Sequence, residues 1–543
     1  MVTKILSGAI CGIDCKIVAV EIDISSGLPC FEMVGLLGNE VREAKERVKV
    51  ALQNAEIVLP PVRITINFAP ANIRKEGTGY DLAIAIGLLT SLGYIPSEKL
   101  DNVLAVGELG LNGEIRGVNG VLPIALEAKK RNINTLLVPA VNQKEALVVD
   151  GLQVVALENI TDVIAFFHKK QMNLQCNEFS EEKEANQNQL MDEALTKVVN
   201  VTSERHNIKN NNSIDFADIC GQDNMKRAVE IVAAGFHNLL MVGPPGTGKT
   251  MIAKRIPTIL PEMTKEEMIE VSKIYSVAGL LTNEEYLIQN RPFVAPHHTI
   301  TKSAFAGAGL VPKPGMVSRA HKGVLFLDEV VHFHSEVLES LRQPLEDKQI
   351  HICRSGGNYV FPSEIMLVAA MNPCPCGYYP DMTRCHCTPE QIRRYSGKIS
   401  GPIMDRMDLC IETMPVNWND LTGGNNEASS KKDLSKENRK DSATLRKNVE
   451  KARKMQQIRY AGTGIVFNSE LQPSQIEQFI ILGESQKKLL KKMYEKYKLS
   501  ARSYHRLLKV ARTIADLDEE EFILEKHILE AVGYRNWDNF GVN

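Results

Sequence analysis

Eight consecutive residues have the types and spacing needed to hold the phosphates of a nucleotide. The apolar run Leu239–Val242 before them predicts a buried strand, and a helical pattern follows them. Glycines let such a loop curl so that its backbone N–H groups point at a β-phosphate, while Lys249 supplies positive charge and Thr250 offers a hydroxyl to Mg²⁺. The segment therefore predicts a nucleotide and Mg²⁺ site made of Gly243, Pro244, Pro245, Gly246, Thr247, Gly248, Lys249 and Thr250.

Polar side chains follow two further apolar runs of the sequence. Asp328 and Glu329 end the run GVLFLDE, and Asn372 ends the run EIMLVAAMN. In a nucleotide-hydrolysing site, one carboxylate lies near the metal and the other orients the attacking water. The amide of Asn372 would then sense the γ-phosphate or the water. A charged strand end and a strand-capping asparagine are the alternatives, and the phosphate-type loop upstream favours the catalytic interpretation of the acidic pair.

Four cysteines lie close together in NPCPCGYYPDMTRCHCTPEQ. Cys374, Cys376, Cys385 and Cys387 form two Cys-x-Cys pairs separated by eight residues. Four thiolates can surround Zn²⁺ tetrahedrally, and the connecting loop is long enough to fold back. Such a zinc would be structural, since no coordination position is left for water. The pairs are tighter than the usual Cys-x-x-Cys spacing, and buried or redox-idle cysteines remain the alternative.

The elements that must position these residues fall into several segments. A chain of 543 residues with 44% hydrophobic and 24% charged residues is too long for one core. Strand and helix patterns alternate over 1–168, polar residues dominate 169–212 (with a short helix expected near 191–199), and a second α/β block covers 213–416. Residues 417–442 have the composition of a mobile linker, and 443–543 are helical, with Leu507, Leu508, Ala511, Ile514 and Ala515 on one face.

The bulk composition limits the classes of function. The net charge of −2 gives no argument for nucleic-acid binding by the whole chain, so any basic surface must be local. No apolar run is long enough to span a membrane, and the N-terminus has no signal-peptide pattern, so a cytoplasmic protein is expected. Eleven cysteines in that compartment are expected to be thiols or metal ligands rather than disulfides.

Several motifs resemble the YifB/ComM family of magnesium-chelatase-like AAA+ ATPases. They are GFHNLLMVGPPGTGKT, RPFVAPHHT, GVLFLDE, LRQPLED, AAMNPCPCG and KISGPIMDRMDL, and the resemblance covers nearly the whole chain. It implies a hexameric ring that hydrolyses ATP, and for the ComM members a part in DNA branch migration during uptake and recombination, with recombination proteins as partners. It also implies that Arg406 is a finger acting on the neighbouring subunit's nucleotide and that Arg502 is the lid's sensor arginine.

The same resemblance defines the expected fold class, which is α/β. It implies a Lon-protease-like (ribosomal S5 domain 2-like) α/β N-terminal domain, a P-loop AAA+ α/β core and a C-terminal α-helical lid. Two departures from the family pattern stand near the site. Residues 330–333 replace a Leu-Pro-acidic-Phe segment, and Val294 replaces a common arginine. The adjacent His297 and His298 are expected to be loop or interface residues rather than metal ligands.

The stretch RKEGTGYD, residues 74–81, aligns with the serine loop of Lon-type proteases. Gly79 takes the position of the nucleophilic serine, and the partner lysine falls near Val121 or Leu122. A Ser–Lys mechanism needs both side chains. Thr78 is one position away, but the lysine is still missing. We therefore expect a retained fold without peptidase chemistry, which serves assembly or DNA contact.

Basic residues predict where a nucleic acid would bind. Arg354 precedes a Gly-Gly turn between two strand-like runs, a hairpin that in related ring helicases enters the central pore. The helical segment adds basic residues interleaved with aromatics, which can follow phosphates and stack on bases, although such a run is often only a solvated face. A DNA motor is the preferred interpretation, and a protein-remodelling chaperone or a chelatase-like metal-insertion motor is the alternative. The basic residues are Lys487, Lys488, Lys491, Lys492, Lys496, Lys498, Arg502, Arg506, Lys509 and Arg512, with Tyr494, Tyr497 and Tyr504 among them.

Overall fold

The computed structural model describes residues 2–175, 214–309, 312–354, 357–414 and 441–535. The described residues form two compact units, one from residues 2–175 together with 282–284, and one from residues 214–281 together with those from 285 onward. Within these ranges no helix has the length and apolar character needed to cross a bilayer.

A mixed seven-stranded sheet forms the centre of the first unit. Its strand order is β3-β4-β2-β1-β5-β8-β9. The pairs β1–β2 and β2–β4 are antiparallel, whereas β3–β4, β1–β5, β5–β8 and β8–β9 are parallel. Two short strands, β6 and β7, pair outside this sheet. The strands are β1 Thr3–Cys11, β2 Asp14–Ser25, β3 Cys30–Val34, β4 Arg63–Ala69, β5 Val103–Ala105, β6 Glu108–Leu109, β7 Ile115–Arg116, β8 Thr135–Pro139 and β9 Gln153–Leu157.

The most deeply buried helix of this unit, α2, begins at the end of the stretch RKEGTGYD. Residues 81–90 of α2 are all buried, because the sequence DLAIAIGLLT offers almost no polar face. Its first residue, Asp81, is fully buried and accepts two hydrogen bonds from the Arg47 guanidinium at 2.7 and 3.0 Å. This pairing satisfies a carboxylate that would otherwise be costly to bury. The helices are α1 Asn39–Asn54, α2 Asp81–Ser91, α3 Val121–Lys130, α4 Gln143–Leu147 and α5 Ile160–Gln175.

The end of the first unit differs from the boundary predicted at residue 168. Helix α5 continues to Gln175. The sequence after His168 is polar, and a polar stretch has the composition of a linker whether or not its backbone stays helical. The short helix expected near 191–199 lies outside the described residues.

A five-stranded sheet, parallel throughout, forms the core of the second unit. Its order is β11-β14-β17-β10-β18, so the first strand in sequence lies between the fourth and the fifth. The carboxyl ends of parallel strands meet at one edge, which is where α/β proteins bind ligands. The five strands are β10 Leu239–Val242, β11 Phe293–Val294, β14 Val324–Leu327, β17 Met366–Met371 and β18 Leu409–Glu412.

Two antiparallel pairs and a set of helices complete the core of this unit. The pairs are β12 Gly307–Ala308 with β13 Lys313–Pro314, and β15 Gln349–Arg354 with β16 Gly357–Pro362. The second pair is the hairpin predicted around Arg354. The helices are α6 Asp223–Gly235, α7 Lys249–Ile259, α8 Lys265–Ala278, α9 Lys302–Ala306, α10 Met316–Arg319, α11 Ser335–Glu339, α12 Arg342–Asp347, α13 Pro389–Ser396 and α14 Gly401–Met404.

The described C-terminal residues form helices that pack on α6. Leu507, Leu508, Ala511, Ile514 and Ala515 of α18 are all buried, as their spacing predicts. Phe236, which follows α6, stacks on Phe467 with ring centroids 4.8 Å apart, and His237 Nε2 lies 2.8 Å from Thr513 Oγ1. Aromatic packing and polar contacts therefore join the helices to the core. They are α15 Ser442–Arg459, α16 Pro473–Phe479, α17 Glu484–Lys496, α18 Ala501–Leu517 and α19 Glu525–Gly533.

Three of the predicted basic surface residues are not free at the surface. Arg512 is buried and bonds to Asp516, Arg506 pairs with Asp408 at 2.8 Å, and the Lys509 ammonium donates to the Ser469 carbonyl at 2.9 Å. Helical spacing alone does not distinguish the inner face of α18 from its outer face for long basic side chains, whose stems are apolar. The exposed basic set consists of Lys487, Lys488, Lys491, Lys492, Lys496, Lys498 and Arg502.

Candidate nucleotide site and cysteine cluster

The register of the parallel sheet brings the predicted site residues to one edge. Val242 of β10 pairs with Met371 of β17, so Gly243 and Asn372 leave neighbouring strands at the same level. Leu327 of β14 pairs with Ala369 of β17, which places Asp328 and Glu329 beside them. The phosphate-type loop, the acidic pair and Asn372 therefore share one edge of the sheet.

Lys249 and Thr250 open helix α7 and already contact the groups expected around a nucleotide. The Lys249 ammonium donates to the Gly243 and Pro244 carbonyls at 2.7 and 2.8 Å and lies 3.4 Å from Asn372 Oδ1. Thr250 donates to Asp328 Oδ2 at 2.7 Å. Burial lowers the pKa of Lys249, against the opposing effect of Asp328 and Glu329. A hydroxyl paired with a carboxylate at the start of a helix is a donor set suited to Mg²⁺ beside phosphates.

Thr413 fixes the loop from the neighbouring strand. Its Oγ1 lies 2.8 Å from Thr247 Oγ1, and Thr247 also donates to the Pro244 carbonyl at 3.0 Å. A Cβ on Gly243 would lie 2.0 Å from Thr413 Oγ1, so no larger residue fits at the start of the loop. Gly248, the residue before α7, has φ of +85°, a conformation that glycine adopts without strain. The loop is thus shaped in advance for an anion.

Glu329 has an unusual backbone conformation at the end of β14. Its φ is +50° and its ψ is +48°, which side-chain-bearing residues rarely adopt and which is often found at functional sites. Tyr395 lies beside this group: its phenol accepts a hydrogen bond from the Asn372 backbone. Burial first, and the nearby Glu329 carboxylate second, raise the pKa of Tyr395 to about 12. The phenol therefore keeps its proton at neutral pH.

The four predicted cysteines converge, with all four sulfur atoms within 4.8 Å of one another. Cys374 Sγ lies 3.3 Å from Cys376 Sγ and 3.8 Å from Cys385 Sγ, and the Cys376–Cys385 distance is 3.6 Å. Four sulfurs at about 2.3 Å from a tetrahedral Zn²⁺ lie about 3.8 Å from one another. The backbone N–H of Tyr378, followed by hydrogen bonds from the other thiols, lowers the pKa of Cys376 to about 6. The donor set and its spacing fit zinc.

The loop that carries the cysteines also touches the phosphate-type loop. Gly377 has φ of +86°, and a Cβ there would lie 2.9 Å from Pro245 Cδ and 3.9 Å from Asn372. The first cysteine follows Asn372 by only two residues. A movement of the cysteine loop would therefore change its packing against both Pro245 and Asn372.

The structure does not bring Arg406 or Arg502 to the phosphate loop of the same chain. The Arg406 carbonyl accepts a hydrogen bond from Asn238 at 2.9 Å, and Asn238 precedes β10, whereas Gly243 follows it. Four strand residues span about 13 Å. Both arginines bond to Glu346 of α12. They lie at the other end of the sheet from the phosphate loop.

Arg406 and Arg502 differ in their exposure within one chain. Its side chain is only 3% exposed, whereas that of Arg502 is 63% exposed. Glu346 and the Pro402 carbonyl hold the Arg406 guanidinium within its own subunit. Burial foremost lowers the pKa of Arg406, and nearby arginines add to that effect.

The remaining predicted residues lie away from this edge. Arg354 is exposed at the end of β15, opposite Gly357 of β16. His297 and His298 pack against each other with ring centroids 4.1 Å apart. Among the described residues, the metal-type group of three or more ligands is the cysteine cluster, which does not include these histidines.

In the first unit, the stretch aligned with the protease loop borders a cavity of about 240 Å³. A Cβ at Gly79 would meet only Val118, at 3.9 Å, so the position has room for a side chain that the sequence does not supply. Val121 and Leu122 are fully buried. The Thr78 hydroxyl donates its hydrogen bond to the Glu108 carboxylate and not to a lysine. The arrangement has no Ser–Lys pair at these positions.

Sequence reasoning missed three residues that shape the site. Thr413, Tyr395 and Glu346 contact predicted residues through the tertiary fold, at sequence separations that no local motif covers. Of these three residues, Glu346 alone lies within one of the motifs quoted above, LRQPLED.

Comparisons with known proteins agree with this architecture. Three domain models match the chain: magnesium chelatase, subunit ChlI, over residues 215–421; subunit ChlI of Mg-chelatase over 20–142; and the subunit ChlI C-terminal model over 439–535. Competence protein ComM of Haemophilus influenzae is 40% identical over 535 residues, which cover 98% of this chain and 97% of ComM.

Two further relatives extend the comparison. YifB of Escherichia coli is 38% identical over 529 residues, covering 97% of this chain and 96% of YifB. Lon protease 2 of Bacillus subtilis is 28% identical over 171 residues, 29% of this chain and 30% of that protein. The fold class is therefore α/β, with a Lon-like first domain, a P-loop AAA+ core and a helical lid. With this full-length similarity, the chain belongs to the YifB/ComM family of magnesium-chelatase-like AAA+ ATPases.

Proposed function

We propose that this chain is the subunit of a cytoplasmic homo-hexameric motor that hydrolyses ATP and remodels DNA. The observation that carries the proposal is the division of the site. Lys249, Thr250 and Asp328 meet at the carboxyl edge of the sheet, whereas Arg406 and Arg502 lie together at the opposite end. A complete site then requires the arginine end of one copy to face the phosphate loop of the next.

Each residue then has a chemical role in hydrolysis. The loop N–H groups and Lys249 would bind the phosphates, and Thr250 with Asp328 would hold Mg²⁺. Glu329 orients and deprotonates the attacking water, and Asn372 positions it from the adjacent strand. Arg406 and Arg502 of a neighbouring copy neutralise the charge that develops on the transferred phosphoryl group. Hydrolysis would therefore depend on assembly.

DNA is the proposed substrate because of the exposed basic residues. Arg354 is exposed at the end of a two-stranded hairpin, and the exposed lysines of α17 add positive charge on the lid. Guanidinium and ammonium groups bind the phosphate backbone regardless of base sequence. A relative named competence protein ComM fits a role in DNA uptake or recombination. Branch migration or helicase-like movement, with recombination proteins as partners, is the corresponding activity.

The test is the stimulation of ATP turnover by DNA. Forked or four-way DNA should raise the turnover of the full-length protein several-fold, and Arg354→Ala should remove the stimulation while basal turnover remains. Arg131→Ala, which removes an exposed arginine paired on its own helix, is the matched control. Stimulation by unfolded protein instead of DNA would support the alternative, a protein-remodelling chaperone. A response to neither polymer would leave a chelatase-like metal-insertion motor as the better candidate.

We further propose that Cys374, Cys376, Cys385 and Cys387 hold a structural Zn²⁺. Support comes from the spacing of the four sulfur atoms, which matches a tetrahedral site. Elemental analysis of protein never exposed to chelator should find about one zinc per chain. A chain without zinc that keeps four titratable thiols would exclude the site.

A further inference from the structure

Arg406 and Arg502 meet on a single carboxylate oxygen. Both guanidiniums contact Oε1 of Glu346, and the Arg502 contact is 3.2 Å long. Arg406 belongs to the segment before β18, Arg502 to the first turn of α18, and Glu346 to α12. One carboxylate thus connects the core to the lid at the point where both predicted arginines lie.

The neighbouring arginines have carboxylates of their own. Arg342 pairs with Glu339 at 3.1 Å, and Arg506 pairs with Asp408 at 2.8 Å. Arg406 and Arg502, in contrast, share Glu346. Two guanidiniums with one carboxylate carry a net positive charge, and that charge is free to attract an anion.

The buried guanidinium is also incompletely bonded. Arg406 Nε is buried and has no hydrogen-bond partner among the described residues. Leaving a buried donor unpaired is costly, and such a group often marks a functional site. An anion bound at this end of the sheet would balance the net positive charge of the two guanidiniums and their shared carboxylate.

We propose that Glu346 is a positioning residue that holds Arg406 and Arg502 together as a pair for the nucleotide phosphates bound by a neighbouring copy. The inference rests on the proposed function, in which the arginines act across a subunit boundary. Without the carboxylate, the two guanidiniums repel each other, and the exposed Arg502 is free to move away. With the Glu346 carboxylate in place, both guanidiniums are held together before the phosphate binds. Less side-chain entropy is therefore lost when the transition state forms.

The first test measures steady-state ATP turnover of full-length Glu346→Gln. We expect kcat to fall by roughly tenfold or more, with the KM for ATP changed by less than about threefold, because the variant keeps its own phosphate loop. Glu346→Asp should restore part of the loss. Glu450→Gln is the matched control, since that carboxylate is 48% exposed, against 46% for Glu346, and pairs with Arg446 on its own helix. An unchanged kcat in Glu346→Gln would overturn the inference.

A second test separates positioning from a general structural role. If Glu346 acts only through the two arginines, Glu346→Gln should have no further effect in an Arg406→Ala, Arg502→Ala background. A loss of the same size in that background would overturn the inference. Glu346→Gln leaves the buried Arg406 without its carboxylate, so its melting temperature should fall, and turnover is measured well below the melting temperature of every variant.

Mixing of subunits distinguishes failure of the inference from failure of the proposed function. Lys249→Ala subunits keep an intact arginine end, so mixing them with Arg406→Ala or with Glu346→Gln subunits should restore turnover at the mixed boundaries. Rescue of Arg406→Ala alone would overturn the positioning role of Glu346 and leave the divided site intact. Rescue of neither would overturn both.

Discussion

The surroundings of Lys509 in α18 favour the neutral form of its side chain. Its ammonium donates to the Ser469 carbonyl at 2.9 Å. Burial above all, with Arg506 and Lys348 adding to the effect, lowers the pKa of Lys509 to about 8, although Asp408 and Glu470 act in the opposite direction. The protonated side chain is therefore costly to keep in the folded state at neutral pH.

The pH dependence of folding stability should show this cost. The unfolded chain keeps the ordinary lysine pKa near 10.5, so between about pH 8 and that value it binds more protons than the folded state. The folded parent should therefore gain stability relative to Lys509→Met as the pH rises from about 7.5 to about 9.5, by at most about 1.36 kcal/mol per pH unit. Chemical denaturation of both proteins at several pH values measures the difference. A difference that does not change with pH would show that Lys509 has an ordinary pKa.

At this scale, the predictable residues are those whose role is set by neighbours in sequence. Lys249, Thr250, Asp328 and Glu329 stand in contiguous motifs, and the sheet brings them together. The burial of Arg406 was not predictable. Its ion-pair partner Glu346 comes from a separate helix, and a local motif carries no information on tertiary burial.

The cysteine loop is the element that joins two parts of the candidate site. Gly377 takes a left-handed conformation against Pro245 of the phosphate-type loop. The loop also begins two residues after Asn372, at the end of β17. Its shape should therefore affect nucleotide binding.

Gly377→Ala should weaken ATP binding by roughly three- to tenfold while leaving the metal content unchanged. The added methyl group would lie 2.9 Å from Pro245 Cδ, so either loop must shift. Gly462→Ala is the matched control, because Gly462 also has a positive φ, +78°, but a Cβ there meets nothing within 4 Å. Fluorescent-nucleotide titration measures the affinity, and elemental analysis measures the zinc. Equal ATP affinities for the two variants would contradict a role for the contact between residue 377 and Pro245.

Secondary structure was predictable where periodicity or turn residues were strong. β10 and the hairpin β15–β16 lie where the sequence places them, and the apolar face of α18 is buried. The end of α5 was not predictable, because polar residues in a helix and in a linker have the same composition. The inward orientation of Arg512 and Lys509 was missed for a different reason. Lys509 donates to the Ser469 carbonyl before α18, and Arg512 donates to the Glu521 carbonyl after α18 as well as pairing with Asp516 within the helix.

On the scale of the whole molecule, the chain carries two different halves of the proposed site at opposite ends of the sheet. The proposed phosphate-binding half lies within one copy. There Lys249 donates to the Gly243 carbonyl of the loop, and Thr250 donates to Asp328. The arginine half faces away from it. Binding and hydrolysis should therefore respond differently to dilution.

The specific ATP turnover should rise with protein concentration and then level off, whereas the fraction of chains that bind a fluorescent ATP analogue should stay constant. Turnover requires a second copy, and binding requires only one. The measurement is a dilution series over about three orders of magnitude at saturating nucleotide, with the oligomeric state followed by light scattering. Turnover per chain that is independent of concentration down to the monomeric state would contradict the divided site.

The separation of Lys249 from Arg406 along β10 has a genetic consequence. A copy with one of these two substitutions inactivates the site at one subunit boundary when it assembles with intact copies. A copy with both substitutions inactivates the sites at both of its boundaries. In a cell that makes both forms, Lys249→Ala combined with Arg406→Ala should therefore act as a stronger dominant-negative allele than either change alone.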